Sequence, residues 1–145
     1  MADTILNLMI SHHALLELLF EKFRDEVKGE EEKKAATLSE LTWEMKKHFF
    51  AEEGAIFDFP PLKIMNVWPV VEQLKKEHIE MLEMLQNFSD NLQNIKEGGI
   101  EDFHNLLESH RKIEELNLYP KIDKELLPEQ KSQIITRVNQ IPAED

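Results

Sequence analysis

The chain has 145 residues, 41% of them apolar, a net charge of −12 and no cysteine. That length suits one domain with a real core, and the acidity argues against nucleic acid or an anionic membrane surface as a partner. The lack of cysteine excludes disulfides, thiolate metal sites and cysteine nucleophiles. Only 4 Gly and 6 Pro interrupt a sequence rich in Glu, Lys and Leu, which favours an all-helical protein.

The first helical segment starts at Asp3 or Thr4, both good N-caps, and runs to about Val27. Its apolar seam is Ile5, Met9, His12, Leu16, Leu19 and Phe23, in steps of three and four, with Glu17, Glu21, Lys22 and Asp25 elsewhere. His12 falls in the seam. His13 lies about 100° further round, on a second stripe with Met9, Leu16, Phe20 and Phe23, and the seam favours His12. Alone, such a histidine would be read as a hydrogen-bonded core residue. Lys28-Gly29-Glu30 breaks the helix.

The second segment runs from about Glu31 to about Phe57, with the seam Leu38, Leu41, Met45, His48, Glu52, Ala55 and on to Phe59. Asp58-Phe59-Pro60-Pro61 stops it, and residues 60 to 67 read as a connection. A third segment starts near Trp68-Pro69 with the seam Val71, Leu74, His78, Met81, Leu85, Phe88, Leu92 and Ile95, ended by Gly98-Gly99. The fourth runs from about Ile100 to Leu118 with Phe103, Leu107, His110 and Glu114 in the seam, and Tyr119-Pro120 follows. A C-terminal extension over about 120–145 holds one short amphipathic pattern, Ile134, Ile135, Val138 and Ile141, after Leu127-Pro128-Glu129. It is expected to pack outside the main bundle. Four amphipathic helices with short links predict an antiparallel up-down-up-down four-helix bundle over about 4–119, plus a short extra C-terminal helix, in a single domain of 1–145.

No apolar run is long enough to span a bilayer. Met1-Ala2-Asp3-Thr4 lacks the basic start of a secretory signal, so a soluble, cytoplasmic protein with no membrane partner is the expectation.

Each of the four helices thus places a histidine in its seam: His12, His48, His78 and His110. Two add a carboxylate one turn on, Glu52 and Glu114. A carboxylate facing a core is costly unless it is paired or holds a metal, and an imidazole and a carboxylate one turn apart on one face make half a metal site. Counting from the turns of an antiparallel bundle, all six fit within a slab of roughly one to two turns at about 1.5 Å per residue. Imidazole and carboxylate without thiolate suit iron, manganese or zinc, and two inward glutamates from different helices can each bridge two metals. Each imidazole also needs an acceptor for its other N–H.

These residues carry a resemblance. The stretch His48-Phe49-Phe50-Ala51-Glu52-Glu53 resembles the second-helix motif of the hemerythrin family, in which the His and the Glu four residues on bind a di-iron centre. The first helix has that family's apolar spacing after its metal histidine, which also favours His12. The segment His110-Arg111-Lys112-Ile113-Glu114-Glu115-Leu116-Asn117-Leu118-Tyr119-Pro120 is similar to the fourth-helix motif of hemerythrin-like (HHE cation-binding) proteins. Their carboxylate four residues after the His is Glu114 here; oxygen carriers use an Asp one residue later, at the place of Glu115. The likeness covers about residues 5 to 125. It implies iron as cofactor, a di-iron pair with an oxo or hydroxo bridge held by His12, His48, Glu52, His78, His110 and Glu114. It also implies a small diatomic or peroxide partner: oxygen, peroxide or nitric oxide.

One departure matters. The third helix of oxygen carriers has a His-x-x-x-His pair, and here Leu74 replaces the first member. Two bridging glutamates, four histidines and the oxo or hydroxo bridge then leave about two positions open on a pair of six-coordinate irons, one more than in an oxygen carrier. Glu77, Glu53 or water are the candidates to fill the gap. The more open site fits sensing or turnover of small molecules, or iron handling, better than reversible oxygen carriage. The alternative is a non-catalytic iron- or oxygen-sensing or iron-storage module. His104 reads as a surface or interfacial histidine off the face of His110. Trp43, Trp68, Phe49, Phe50 and Phe57 read as core, and Glu53 and Glu115 as pointing to solvent or to a partner beyond the metal.

Overall fold

The structure is a computed structural model and describes residues 4–140, so the N-cap candidate Asp3 and the apolar Ile141 lie outside the described residues. It is all-α, with no strand among the described residues, as the composition predicts. Helix α1 spans Ile5–Glu26. The Thr4 hydroxyl accepts from the Asn7 N–H at 3.0 Å, and the Asp123 carboxylate accepts from the N–H groups of Ile5 and Leu6 at 2.9 and 3.1 Å. A helix start leaves such donors unpaired and favours negative charge beside them, so Asp123 ties the far end of the chain to its beginning.

Helix α2 covers Glu31–Ala51 and then widens into a π-helical turn over Glu52–Phe57, in which the Asp58 N–H reaches back five residues to the Glu53 carbonyl at 2.9 Å. Pro60–Ile64 is a 3-10 turn that drops Leu62 into the core. Helix α3 is Trp68–Asp90 with Pro69 in its first turn. It ends before the predicted Gly98-Gly99 stop. Leu92–Asn94 forms a 3-10 turn, and both glycines sit in the first turn of α4, Glu97–Ile113. Their use there is close approach: a Cβ on Gly99 would stand 3.3 Å from Phe88 Cε1.

A second π-helical turn, Glu114–Leu118, follows α4 and leads directly into α5, Tyr119–Glu125. The expected stop at Tyr119-Pro120 is absent. In a regular helix the ring of Pro120 would clash with the carbonyl four residues back and leave it without a donor; the wider turn just before it relieves both demands. Helix α6 is Pro128–Gln140.

The helices bury two apolar clusters. One holds Ile5, Met9, Ile56, Phe57, Leu74, Leu118 and Tyr119; the other holds Leu16, Phe20, Phe23, Met45, Phe49, Met81, Phe88, Phe103 and Leu107. Ile134 and Val138 of α6 belong to the first cluster. The extra helix therefore closes one end of the core, against α1 and the Glu52–Phe57 turn, and does not lie outside it. Two aromatic residues read as core are corrected: Trp43 is 40% and Phe50 68% exposed. Along each long helix buried histidines and carboxylates fall between the two clusters, so the core is split by a polar layer.

Candidate metal centre

The layer contains His13, His48, Glu52, Glu77, His78, His110 and Glu114, every one of them buried, with Glu52 and Glu114 at 0% exposure. Ligand atoms of His13, His48, Glu52 and Glu114 lie within 4.8 Å of one another, and so do those of Glu52, His78, His110 and Glu114. Two neighbouring four-residue groups thus share the same two carboxylates. Five of the six sequence candidates are brought together. His12 is not: it is only half-buried, and His13 takes the place expected of it. The stripe that turns inward is Met9, His13, Leu16, Phe20 and Phe23, and fully buried Phe20 is the residue that could have selected it.

The two halves of the bundle match. His13 on α1 has Nε2 2.9 Å from Glu114 and Nδ1 2.6 Å from Glu115; His78 on α3 has Nε2 2.8 Å from Glu52 and Nδ1 2.6 Å from Glu53. Each of these imidazoles faces the layer with one nitrogen and has the other held by the carboxylate next along from an inner one. His110 completes the pattern: Nε2 lies 2.9 Å from Glu114, and Nδ1 lies 2.8 Å from Glu77, whose other oxygen accepts from Gln73 at 2.8 Å. Arg111 donates to Glu115 at 3.0 Å. Of these orienting carboxylates, Glu53 and Glu115 take the second of the two places expected of them, on a partner behind the layer. Glu53 and Glu77 were candidates to replace the ligand lost at Leu74, and they sit on outer histidine nitrogens instead. Leu74 itself is fully buried in the apolar cluster. The rings of Phe49 and Phe57 lie nearly parallel to His78, at 3.9 and 5.7 Å between centroids, and fix its plane.

Several of the close approaches are not aligned as hydrogen bonds. Among the described residues, buried side-chain polar atoms without a partner are His13 Nε2, His48 Nδ1, Glu52 Oε2, His110 Nε2, both oxygens of Glu114 and the Tyr119 hydroxyl. All but the last lie in the layer. A buried polar group left unpaired costs about 1–3 kcal/mol, so the orphans on His13, Glu52, His110 and Glu114 call for something that their lone pairs bind. The charges are strained too. Burial, reinforced by the charge of Glu114, pushes Glu52 up to about 8. Burial alone would depress His110, but the charge and close approach of Glu114, with Glu77 behind, push it up to about 10. Glu114 is held well below the carboxylate range by His110 and His13 in spite of its burial. His48 is driven well below its ordinary value by burial and by the neighbouring His13. The donor set, its burial and its unpaired atoms fit metal cations.

A helical bundle whose buried core layer is built from histidines and carboxylates of all four long helices defines a class of metal-binding proteins. The family model for the hemerythrin HHE cation binding domain matches residues 4–122, and the chain belongs to that family. Neither the comparison with curated proteins nor that with solved structures gives a match. No helix among the described residues is long and apolar enough to cross a membrane.

Proposed function

We propose that the chain is a non-haem di-iron protein that binds or reacts with a small molecule such as oxygen, peroxide or nitric oxide. The observation that carries the metal count is the pair of four-residue groups sharing Glu52 and Glu114: each group would hold one cation, with two imidazoles of its own and the two carboxylates in common. His13 and His48 would hold one cation, and His78 and His110 the other. Iron bound there would supply the redox chemistry and the open coordination positions that a diatomic or peroxide requires; zinc or manganese would suit the same donors.

The chain's own residues do the rest. Glu53, Glu77 and Glu115 hold the outer nitrogens and set which nitrogen is presented inward. Leu16, Phe49 and Leu107 give an apolar lining to a void of about 10 Å³ between His13, His48 and His110, with Glu17 and Arg111 at its edge. That is room for about one water molecule, which selects ligands of very few atoms. Leu74 leaves the donor set one imidazole short of the oxygen carriers that the sequence resembles, and this favours turnover or sensing over carriage. The non-catalytic sensor or storage module is the second reading, favoured by the same small void, since a site nearly filled by protein also suits a cation held for its own sake.

Metal analysis with an ultraviolet–visible spectrum is the test. About two irons per chain, with oxo-to-iron charge-transfer bands, is the expected result. A metal-free, fully folded protein whose His48→Ala and Glu52→Ala variants are no less stable would overturn it. Consumption of peroxide or nitric oxide by the loaded protein, set against reversible oxygenation, separates turnover from carriage and sensing.

A further inference from the structure

The two matched halves of the layer differ at one place. His110 is steadied by Glu77, the residue immediately before His78. The corresponding position beside His48 is the residue immediately before His13, which is His12, and it offers no carboxylate. The His12 and His48 rings meet edge to face with centroids 5.6 Å apart. His48 is only 5% exposed, and its Nδ1 is buried without a partner. At this place the surface opens into a groove between α1, α2 and α6 with a cavity volume of about 270 Å³, bordered by Ser11, His12, Lys47, Ala51 and Asn139, with His48 in its wall.

We propose that this groove binds a small monocarboxylate, which accepts a hydrogen bond from the His48 imidazole and does for it what Glu77 does for His110. The missing acceptor is of one chemical kind, because the other three imidazoles of the layer are all held by carboxylates. Lys47 supplies the opposite charge at the rim. It stands 3.3 Å from Glu44, which lines the same groove; an ammonium carries three donors and can serve both carboxylates. The negative charge of Glu44 disfavours dianions, and the volume suits an acid of a few carbons. The use of the anion, to hold a metal-binding imidazole, rests on the metal-centre reading above; its binding does not.

The test is a titration of the ¹⁵N-labelled chain with acetate, against chloride at equal ionic strength, in metal-free and zinc-loaded forms. The nitrogen resonances of His48 are followed by NMR. A saturable acetate-specific shift at His48 is expected. Lys47→Met should weaken acetate by about tenfold, the usual scale for losing one charged partner. His12→Glu, which places a carboxylate where the matched half has one, should abolish the response and shift His48 in the same direction without acetate. No saturable shift in either form, or an equal response in wild type and both variants, overturns the proposal. Zinc uptake without any acetate response would sink the anion site alone. An acetate response with no zinc uptake would sink the metal reading and leave the anion site standing.

Discussion

At the scale of single residues, a one-position shift decides the site. His12 and His13 both lie on apolar stripes of α1, and a seam drawn through Leu19 selects the first while one drawn through Phe20 selects the second. Leu19 and Phe20 are both buried, so the inward face of α1 is broader than a narrow seam, and the fold settles on His13 by bringing Glu114 and Glu115 to it. Under the proposed coordination, His13→Ala should remove about one of two metals per chain or weaken binding some 10–100-fold, the range seen when a metal's supports are lost. His12→Ala should keep both metals. Metal content after extensive desalting checks this, and equal losses in the two variants would contradict it. Glu52 and Glu114 were legible because a carboxylate in an apolar seam is conspicuous. Which histidines Glu53, Glu77 and Glu115 serve was not, because those partners are distant in sequence. Glu115 serves a histidine 102 positions away, and no local pattern announces that.

Among the elements, the four long helices follow from hydrophobic spacing, and the Pro60-Pro61 stop from backbone chemistry. The misread ends have physical causes. Gly98 and Gly99 look like a helix end, but they are tolerated inside the first turn of α4 because Phe88 needs the space. Pro120 looks like a stop, but the π-helical turn before it accommodates the ring. A similar wide turn begins at Glu52, so each long helix that carries a His-x-x-x-Glu pair loosens at the glutamate itself. Such turns concentrate at functional sites. Helix α6 shows a different limit: its own stripe could not reveal which surface it covers. Ile134 is fully buried against α1 and the first π turn. Ile134→Ala is therefore expected to cost about 2–4 kcal/mol, against about 0.5 kcal/mol or less for exposed Leu127→Ala. Denaturant unfolding of the two variants measures the difference, and equal midpoints would place α6 outside the core after all.

For the whole molecule, the layer links stability to pH. In the metal-free chain Glu52 is raised from 4.5 to about 8 and His110 from 6.5 to about 10. A group raised on folding contributes stability that is fully present below its unfolded value and is lost as pH climbs through the folded one. Glu77 and Glu114 are lowered, so their contribution is present above the ordinary carboxylate value and fails only in acid. Between about 6.5 and 10 the first pair governs, and the metal-free melting temperature is expected to fall. Cations displace those protons and bind more tightly as pH rises, so the zinc-loaded protein should hold or gain stability over the same interval. Melting curves across that range, with and without zinc, decide it; parallel curves would contradict the link.

The burial of that layer has a consequence for ionic strength. Exposed ion pairs such as Lys22 with Glu40, 3.6 Å apart and each more than half exposed, lie within reach of dissolved salt. At physiological salt the screening length is about 8 Å, and such pairs fade as it shortens. The pairing of His78 with Glu52, or of His110 with Glu114, occurs at 0–3% side-chain exposure, between two apolar clusters, where buried charges are screened much less by dissolved salt. A chain of net charge −12 therefore has an outer electrostatics that dissolved salt retunes, and an inner one that answers to protons and bound ions far more than to screening.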